Sequence, residues 1–225
     1  MRGGTRVARE GFSILFYVFI INLLVFAAYF IWRSPVLLIV LFFTMLSAVF
    51  VFYFFRDPDR KTAVGANAVV SPGDGTVLSM QPVYEGDFCQ DERIRISIFL
   101  SIFNVHVNRI PLEGVVKYIR AVPGRFRAAW DEKASVENEQ VAIGLETKYG
   151  KIMCKQIAGL VARRIVCHLN ENDSVETGQR YGIIKFGSRM DLFLPKNIQF
   201  KVKVGDKVKG GTTILGEFYD GKQKN

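Results

Sequence analysis

Histidine and cysteine are scarce in this chain, with two of the first and three of the second in 225 residues. Cys89, Cys154 and Cys167 stand apart, and no Cys-x-x-Cys pair occurs. The sequence therefore offers neither a disulfide framework nor a thiolate metal cage, and it fits a reducing compartment. Two histidines are too few for an ordinary zinc site, so no metal is expected. Acidic residues are outnumbered: 21 Asp and Glu against 30 Lys and Arg give a net charge of +9. Such a balance suits either nucleic acid or anionic lipid. The basic residues are scattered among strand-like segments, and no nucleic-acid-binding motif accompanies them. Lipid is the expected partner, and nucleic acid is not.

Charge is missing altogether from two stretches near the N-terminus. Phe12 to Trp32 and Pro35 to Phe55 are each 21 residues long and uncharged. A helix needs roughly 20 apolar residues to cross a bilayer core, so each is long enough. Only Arg33 and Ser34 separate them, which predicts a tight transmembrane helical hairpin over residues 1–55. A cleaved signal peptide would have a shorter apolar region and a small-residue cleavage site. Two buried core helices would each show a polar face, and neither run has one. Arg2, Arg6 and Arg9 precede the hairpin, and Arg56, Arg60 and Lys61 follow it. The positive-inside rule puts both ends in the cytoplasm, at the cell (inner) membrane.

From Arg56 to Lys61 charges and Pro58 mark a linker, and residues 56–225 read as one cytoplasmic domain. The pattern there changes to short alternating runs: Arg93 to Leu100, Val141 to Thr147, Lys151 to Ala158, Arg163 to Leu169, Met190 to Leu194 and Ile198 to Val204. Gly, Asp and Asn punctuate them, which predicts a mainly β domain. Ala128 to Glu139 reads equally as a short helix or an ordered loop. The chain also carries an echo. Asp173 to Gly178 and Asp206 to Gly211 both read Asp-x-Val-x-x-Gly. Turns of this kind resemble those of lipoyl and biotinyl carrier domains and of the sugar-phosphotransferase IIA proteins.

Near the C-terminus, Lys185-Phe186-Gly187-Ser188-Arg189 lies between an apolar run and Met190-Asp191-Leu192-Phe193-Leu194-Pro195. A Gly-Ser bond flanked by strands is a poor linker but a workable site for a backbone that cleaves itself. Three further segments stand in order before it: Phe54-Phe55-Arg56-Asp57-Pro58, Val70-Ser71-Pro72-Gly73-Asp74-Gly75, and Phe99 to Pro111 with its Val105-His106-Val107-Asn108-Arg109 centre. Together the four segments resemble the phosphatidylserine decarboxylase family in its short, Gly-Ser-Arg form.

The resemblance implies a β-sandwich of hybrid-motif type, similar to the carrier and IIA domains, behind the membrane hairpin. It implies a proenzyme cut between Gly187 and Ser188, giving a large chain of residues 1–187 and a small chain of residues 188–225 that stay associated. Ser188 is then the nucleophile and the source of a covalent pyruvoyl cofactor, an electron sink comparable to pyridoxal phosphate. Gly at 187 allows strained backbone and close approach of the hydroxyl. His106 is the implied base or proton shuttle, since imidazole titrates near neutrality, and Asp74 is implied to orient it or to take part in the proton transfer. Longer family members carry His-x-x-His on this strand. Here the first position falls at Phe103, which cannot move a proton, so His106 serves both steps or another group acts in decarboxylation. Arg109 and Arg189 stay protonated and suit the phosphate or carboxylate of phosphatidylserine. Two alternatives remain open on sequence alone. One is a membrane-tethered carrier-like module without catalysis, although no Met-flanked lysine marks a hairpin tip. The other is a pyruvoyl enzyme acting on a soluble amino acid. Acyl-chain preference and homo-oligomerisation are also left open.

Overall fold

A computed structural model describes residues 5–62, 64–124, 128–131, 134–160, 164–185 and 187–219. The chain divides into two units, Met1–Asp59 and Arg60–Asn225.

In the first unit two apolar helices follow one another, α1 (Phe12–Trp32) and α2 (Pro35–Phe54). Both are long and apolar enough to cross a membrane. Arg33 ends α1 in the left-handed conformation at φ 50° and its N–H bonds to Tyr29 O. Pro35 opens α2 at a position where its missing N–H costs nothing. Asn22, the one amide in α1, is satisfied in two ways. Its Nδ2 donates to Val18 O at 2.8 Å, and Thr44 Oγ of α2 donates to its Oδ1 at 3.0 Å. In a hydrocarbon setting such a pair fixes how two otherwise featureless helices meet. The segment expected to be a linker is partly a strand: β1 (Thr5–Val7) pairs antiparallel with β2 (Arg56–Pro58). The first unit accordingly extends through Asp59.

The second unit is mainly β. Its strands are β3 (Ala68–Val70), β4 (Gly75–Glu85), β5 (Asp91–Leu100), β6 (Val107–Arg109), β7 (Gly114–Val122), β8 (Gln140–Thr147), β9 (Gly150–Ala158) and β10 (Arg164–Cys167). There follow β11 (Ser174–Val175), β12 (Arg180–Lys185), β13 (Ser188–Leu194), β14 (Ile198–Phe200), β15 (Lys207–Val208) and β16 (Ile214–Phe218). An eight-stranded sheet runs β11-β7-β8-β9-β13-β5-β4-β15, and two three-stranded sheets run β10-β12-β6 and β14-β16-β3. Every pairing is antiparallel. Ile96, Ile98, Leu100, Ile143, Leu145, Ile152, Met190 and Leu192 form the centre of the core. On the other face of the large sheet a smaller cluster joins Cys89, Ala142, Met153 and Phe193. Within the stretch Ala128 to Glu139, Ala134–Glu137 is one short helix, α3, and residues 132 and 133 lie outside the described residues. Arg163 and Phe186 of the sequence reading also lie outside them.

The Asp-x-Val-x-x-Gly echo is a structural echo as well. Its two copies supply β11 and β15, the strands at the two edges of the large sheet. Asp173 Oδ2 accepts from Asn170 N–H at 2.7 Å, and Asp206 Oδ2 accepts from Lys203 N–H at 2.9 Å. Each copy ends on a left-handed glycine, Gly178 at φ 81° and Gly211 at φ 73°. Short edge strands of two residues leave little unpaired backbone to recruit another chain.

Candidate active site

Ser188 opens β13, and β13 is flanked on both sides. Ser188 stands opposite Leu100 of β5 and opposite Ala158 of β9. The residue is fully buried, and its Oγ has no hydrogen-bond partner among the described residues. A buried hydroxyl left unbonded costs on the order of 1–3 kcal/mol, which points to a use other than stability. Gly187 sits immediately before it at φ 71°, a conformation any other residue would hold under strain. The Gly187 carbonyl oxygen accepts from Gly159 N–H at 3.0 Å. A Cβ placed on Gly159 would lie 2.5 Å from that oxygen, so only glycine lets the two backbones approach this closely. Gly159 was not among the residues singled out from sequence. It follows β9 directly, and nothing short of the strand pairing brings it to Gly187.

The segments carrying Asp74, His106 and Ser188 converge. Asn108 of β6 donates to Met190 Sδ of β13 at 3.0 Å and accepts from Gln156 Nε2 of β9 at 2.7 Å. A Cβ on Gly73 would meet the same Met190 sulfur at 3.1 Å and Asn108 Nδ2 at 3.6 Å. His106 is buried, and Ile184 N–H, four residues before Ser188, reaches its carbonyl at 3.4 Å. His106 Nδ1 lies 3.0 Å from Asn104 O. A carbonyl can only accept, so Nδ1 carries the hydrogen and Nε2 holds the lone pair of the neutral ring. His168, the other histidine, is exposed beyond the end of β10.

Asp74 is engaged elsewhere than on His106. Arg60 grips its carboxylate with both Nη atoms, Nη2 to Oδ2 at 2.8 Å, and Gly210 N–H donates to Oδ1 at 2.8 Å. Both partners are largely out of solvent. Asp74 and Asn104, the residue that orients His106, line one cleft of about 350 Å³ together with Ser101, Phe99, Lys207 and Lys209. Arg60 lines a second cleft of about 540 Å³ with Thr62, Arg109, Gln179 and Arg180. Arg109 is nearly buried and donates through Nη1 to Gly178 O at 3.0 Å.

Arg189 is used inside the protein. Its Nε donates to Asp191 Oδ1 at 2.7 Å, Nη2 to Ser97 Oγ at 2.6 Å, and Nη1 to Asp131 O at 3.3 Å. Ser135 Oγ completes the set by donating to Asp191 Oδ2 at 2.8 Å. With the side chain 2% exposed and the guanidinium committed to these acceptors, the head-group contact expected of Arg189 has no geometric support. Its place is to hold β13 against β5 and the Ala128–Asp131 segment.

The sequence profile of the phosphatidylserine decarboxylase family matches residues 47–216. The chain is similar to a protein named phosphatidylserine decarboxylase proenzyme from Geotalea uraniireducens (strain Rf4), 48% identical over 77% of this chain and 82% of that protein. A protein of the same name from Syntrophus aciditrophicus (strain SB) is 42% identical over 97% of this chain and 100% of its own length. One from Cytophaga hutchinsonii is 40% identical over 95% and 99%. Fold, site and relatives together define the class as a decarboxylase built on a β domain, behind two apolar helices. The chain belongs to the phosphatidylserine decarboxylase family.

Proposed function

We propose that this protein cuts itself between Gly187 and Ser188 and then decarboxylates phosphatidylserine to phosphatidylethanolamine and carbon dioxide. The observation that carries the reading is the fully buried Ser188 Oγ, without a hydrogen-bond partner among the described residues, directly after a left-handed glycine. Ser188 Oγ attacks the Gly187 carbonyl carbon while His106 Nε2 takes its proton. The new C–O bond replaces the Gly187–Ser188 C–N bond, and the freed nitrogen is protonated. The N–H of Gly159 supports the charge that develops on the Gly187 oxygen. Loss of the Ser188 Cα proton then expels the Gly187 carboxylate from Cβ, which ends the large chain at Gly187. Water displaces ammonia from the dehydroalanine that remains, leaving a pyruvoyl end on the small chain.

The residues present fit that group. Position 188 is walled by Leu100 and Ala158 across the sheet and shielded from water, as an electron-withdrawing carbonyl requires. When formed, the pyruvoyl group supplies the electron sink for loss of carbon dioxide. His106, kept in the Nδ1–H tautomer by Asn104, holds and returns protons at Nε2. Arg109 lines the cleft with Arg60, Arg180 and one acidic residue, Glu176, a net cationic setting suited to a head-group phosphate. The two chains, residues 1–187 and 188–225, stay together because the small one supplies β13 between β5 and β9 and β16 beside β3. Residues 1–55 anchor the enzyme in the inner membrane with residues 56–225 on the cytoplasmic side, as the flanking arginines direct.

Ser188→Ala should give one uncut chain without decarboxylase activity, and intact mass of the wild-type small chain should show a pyruvoyl end. A free serine amine there would mean ordinary proteolysis. Turnover of free serine equal to that of phosphatidylserine in the same micelles would replace the lipid by a soluble amino acid.

A further inference from the structure

Four large apolar side chains are exposed on segments that border the Gly187–Ser188 bond. Ile102, Phe103, Trp130 and Leu160 are 37, 62, 65 and 65% exposed. Ile102 and Phe103 form the tip of the turn Ser101–Asn104, which closes through Asn104 N–H to Ser101 O at 2.9 Å and Ser101 Oγ to Asn104 Oδ1 at 2.7 Å. Turn tips ordinarily carry Gly, Pro, Asn or Asp, and two bulky apolar residues there are out of character for a surface facing water. Ile102 Cγ2 lies 3.9 Å from where a Cβ on Gly187 would stand. Leu160 follows Gly159, whose N–H holds the Gly187 carbonyl. Trp130 packs edge-on against Phe99 at 5.8 Å, and Phe99 is the strand partner of Arg189. Ile102 and Leu160 thus stand beside that bond, Phe103 shares the turn of Ile102, and Trp130 packs on the strand next to it, from three separate segments.

The same rim borders positive charge. The cleft that contains Ser101, Asn104 and Phe99 is also lined by Lys207 and Lys209, both exposed. Apolar tips beside exposed lysines suit the boundary between acyl chains and anionic head groups. We propose that this rim is a docking surface for an anionic lipid bilayer, and that it seats the mouth of the site in the interface where phosphatidylserine lies. The inference rests on the lipid-decarboxylase reading above. It differs from tethering by the hairpin. A tether holds the enzyme near the membrane, whereas the rim aims the reacting centre at it and shortens the distance a head group must rise from the bilayer.

The test uses the full chain in vesicles of phosphatidylcholine and phosphatidylglycerol. The protein has two tryptophans, so a Trp32→Phe variant leaves Trp130 as the only one. Trp130 emission should fall about twofold or more when the acyl chains are brominated, as a side chain buried in the acyl boundary requires. Unchanged emission with ready iodide quenching would overturn the proposal. Protection from iodide without quenching by bromolipid would overturn it too, because a second copy of the chain would then cover the rim. In parallel, the Phe103→Ser, Leu160→Ser double variant should lose roughly tenfold or more activity on phosphatidylserine in vesicles, while turnover of monomeric dihexanoyl phosphatidylserine stays within about twofold. Equal loss on both substrates, or loss on neither, would sink the docking role. Failure of the underlying function is separately visible: wild-type protein would then turn over no phosphatidylserine in any form, while Trp130 quenching could still be read.

Discussion

The backbone N–H of Gly159 donates to the carbonyl oxygen of Gly187 at 3.0 Å, across the gap between the end of β9 and the start of β13. A donor aimed at a carbonyl under attack stabilises the charge that appears there, and removing one such donor commonly costs about 10²–10³ in rate. Here the donor is backbone, so it cannot be deleted, but it can be pushed away. A methyl group at 159 would fall 2.5 Å from the Gly187 oxygen.

Gly159→Ala should therefore slow self-cleavage by roughly tenfold or more, a loss somewhat below that of a deleted donor. The measure is the rate at which full-length chain gives two fragments on a denaturing gel, with circular dichroism to show that the sheet survives. Cleavage at the wild-type rate in a folded variant would deny Gly159 any part in the reaction.

Asp74 and Arg60 should behave as a unit. Their pair is largely shielded from water, and breaking such a pair from one side typically costs about 3–5 kcal/mol because a charge is stranded. Asp74→Asn and Arg60→Gln should each lower stability and slow cleavage, and the double variant should be little worse than either, with a coupling of about 1–3 kcal/mol in denaturant unfolding. Additive effects on cleavage would mean that Asp74 acts on His106 without Arg60.

The two helices were legible in the sequence because uncharged runs of such length have few other uses. The strands β5, β8 and β9 were legible because their alternation spans most of their length. β13 was read from Met190, yet it begins at Ser188. Only the structure supplies the acceptors Asp191 and Asp131 O that let Arg189 be buried in the strand. The same hidden pairing commits Arg189, expected at the head group, to partners inside the protein. Asp74 was read as a partner of His106 from the order of motifs. Its gripping partner Arg60 lies in a segment that read as linker. Gly159 carried no sequence signal, and Asn104, although inside the Phe99 to Pro111 segment, was given no role, since the first matters through its backbone N–H and the second through a backbone carbonyl.

Arg109 and Arg189 should separate cleanly on mutation. Arg109→Gln should raise the KM for phosphatidylserine while leaving fragment formation intact, the pattern expected when binding common to ground and transition state is lost. Arg189→Gln should instead lower stability and impair cleavage, because Asp191 would lose the Nε donor that balances its buried charge. Thermal unfolding alongside substrate titration distinguishes them. A pure KM effect in Arg189→Gln would restore the head-group role to it.

The cysteines should be silent at neutral pH and costly at high pH. Burial pushes the Cys154 thiol up from 9.0 to about 12, against the opposing effect of its contact with Tyr181. Burial likewise lifts Cys89 to about 11. Since thiolate is the reactive form, both should resist alkylation in the folded protein at pH 7 and react fully after denaturation. The folded state binds these protons more tightly than the unfolded chain does. The stabilisation is thus complete below pH 9.0, the unfolded value, and is lost as pH climbs towards 11 and then 12. Unfolding midpoints in denaturant should fall steadily over that alkaline window and fall less in a Cys154→Ala variant that keeps its fold. Rapid native labelling of Cys154, or an alkaline slope unchanged by its removal, would show that the thiol is not held as the sheet packing requires.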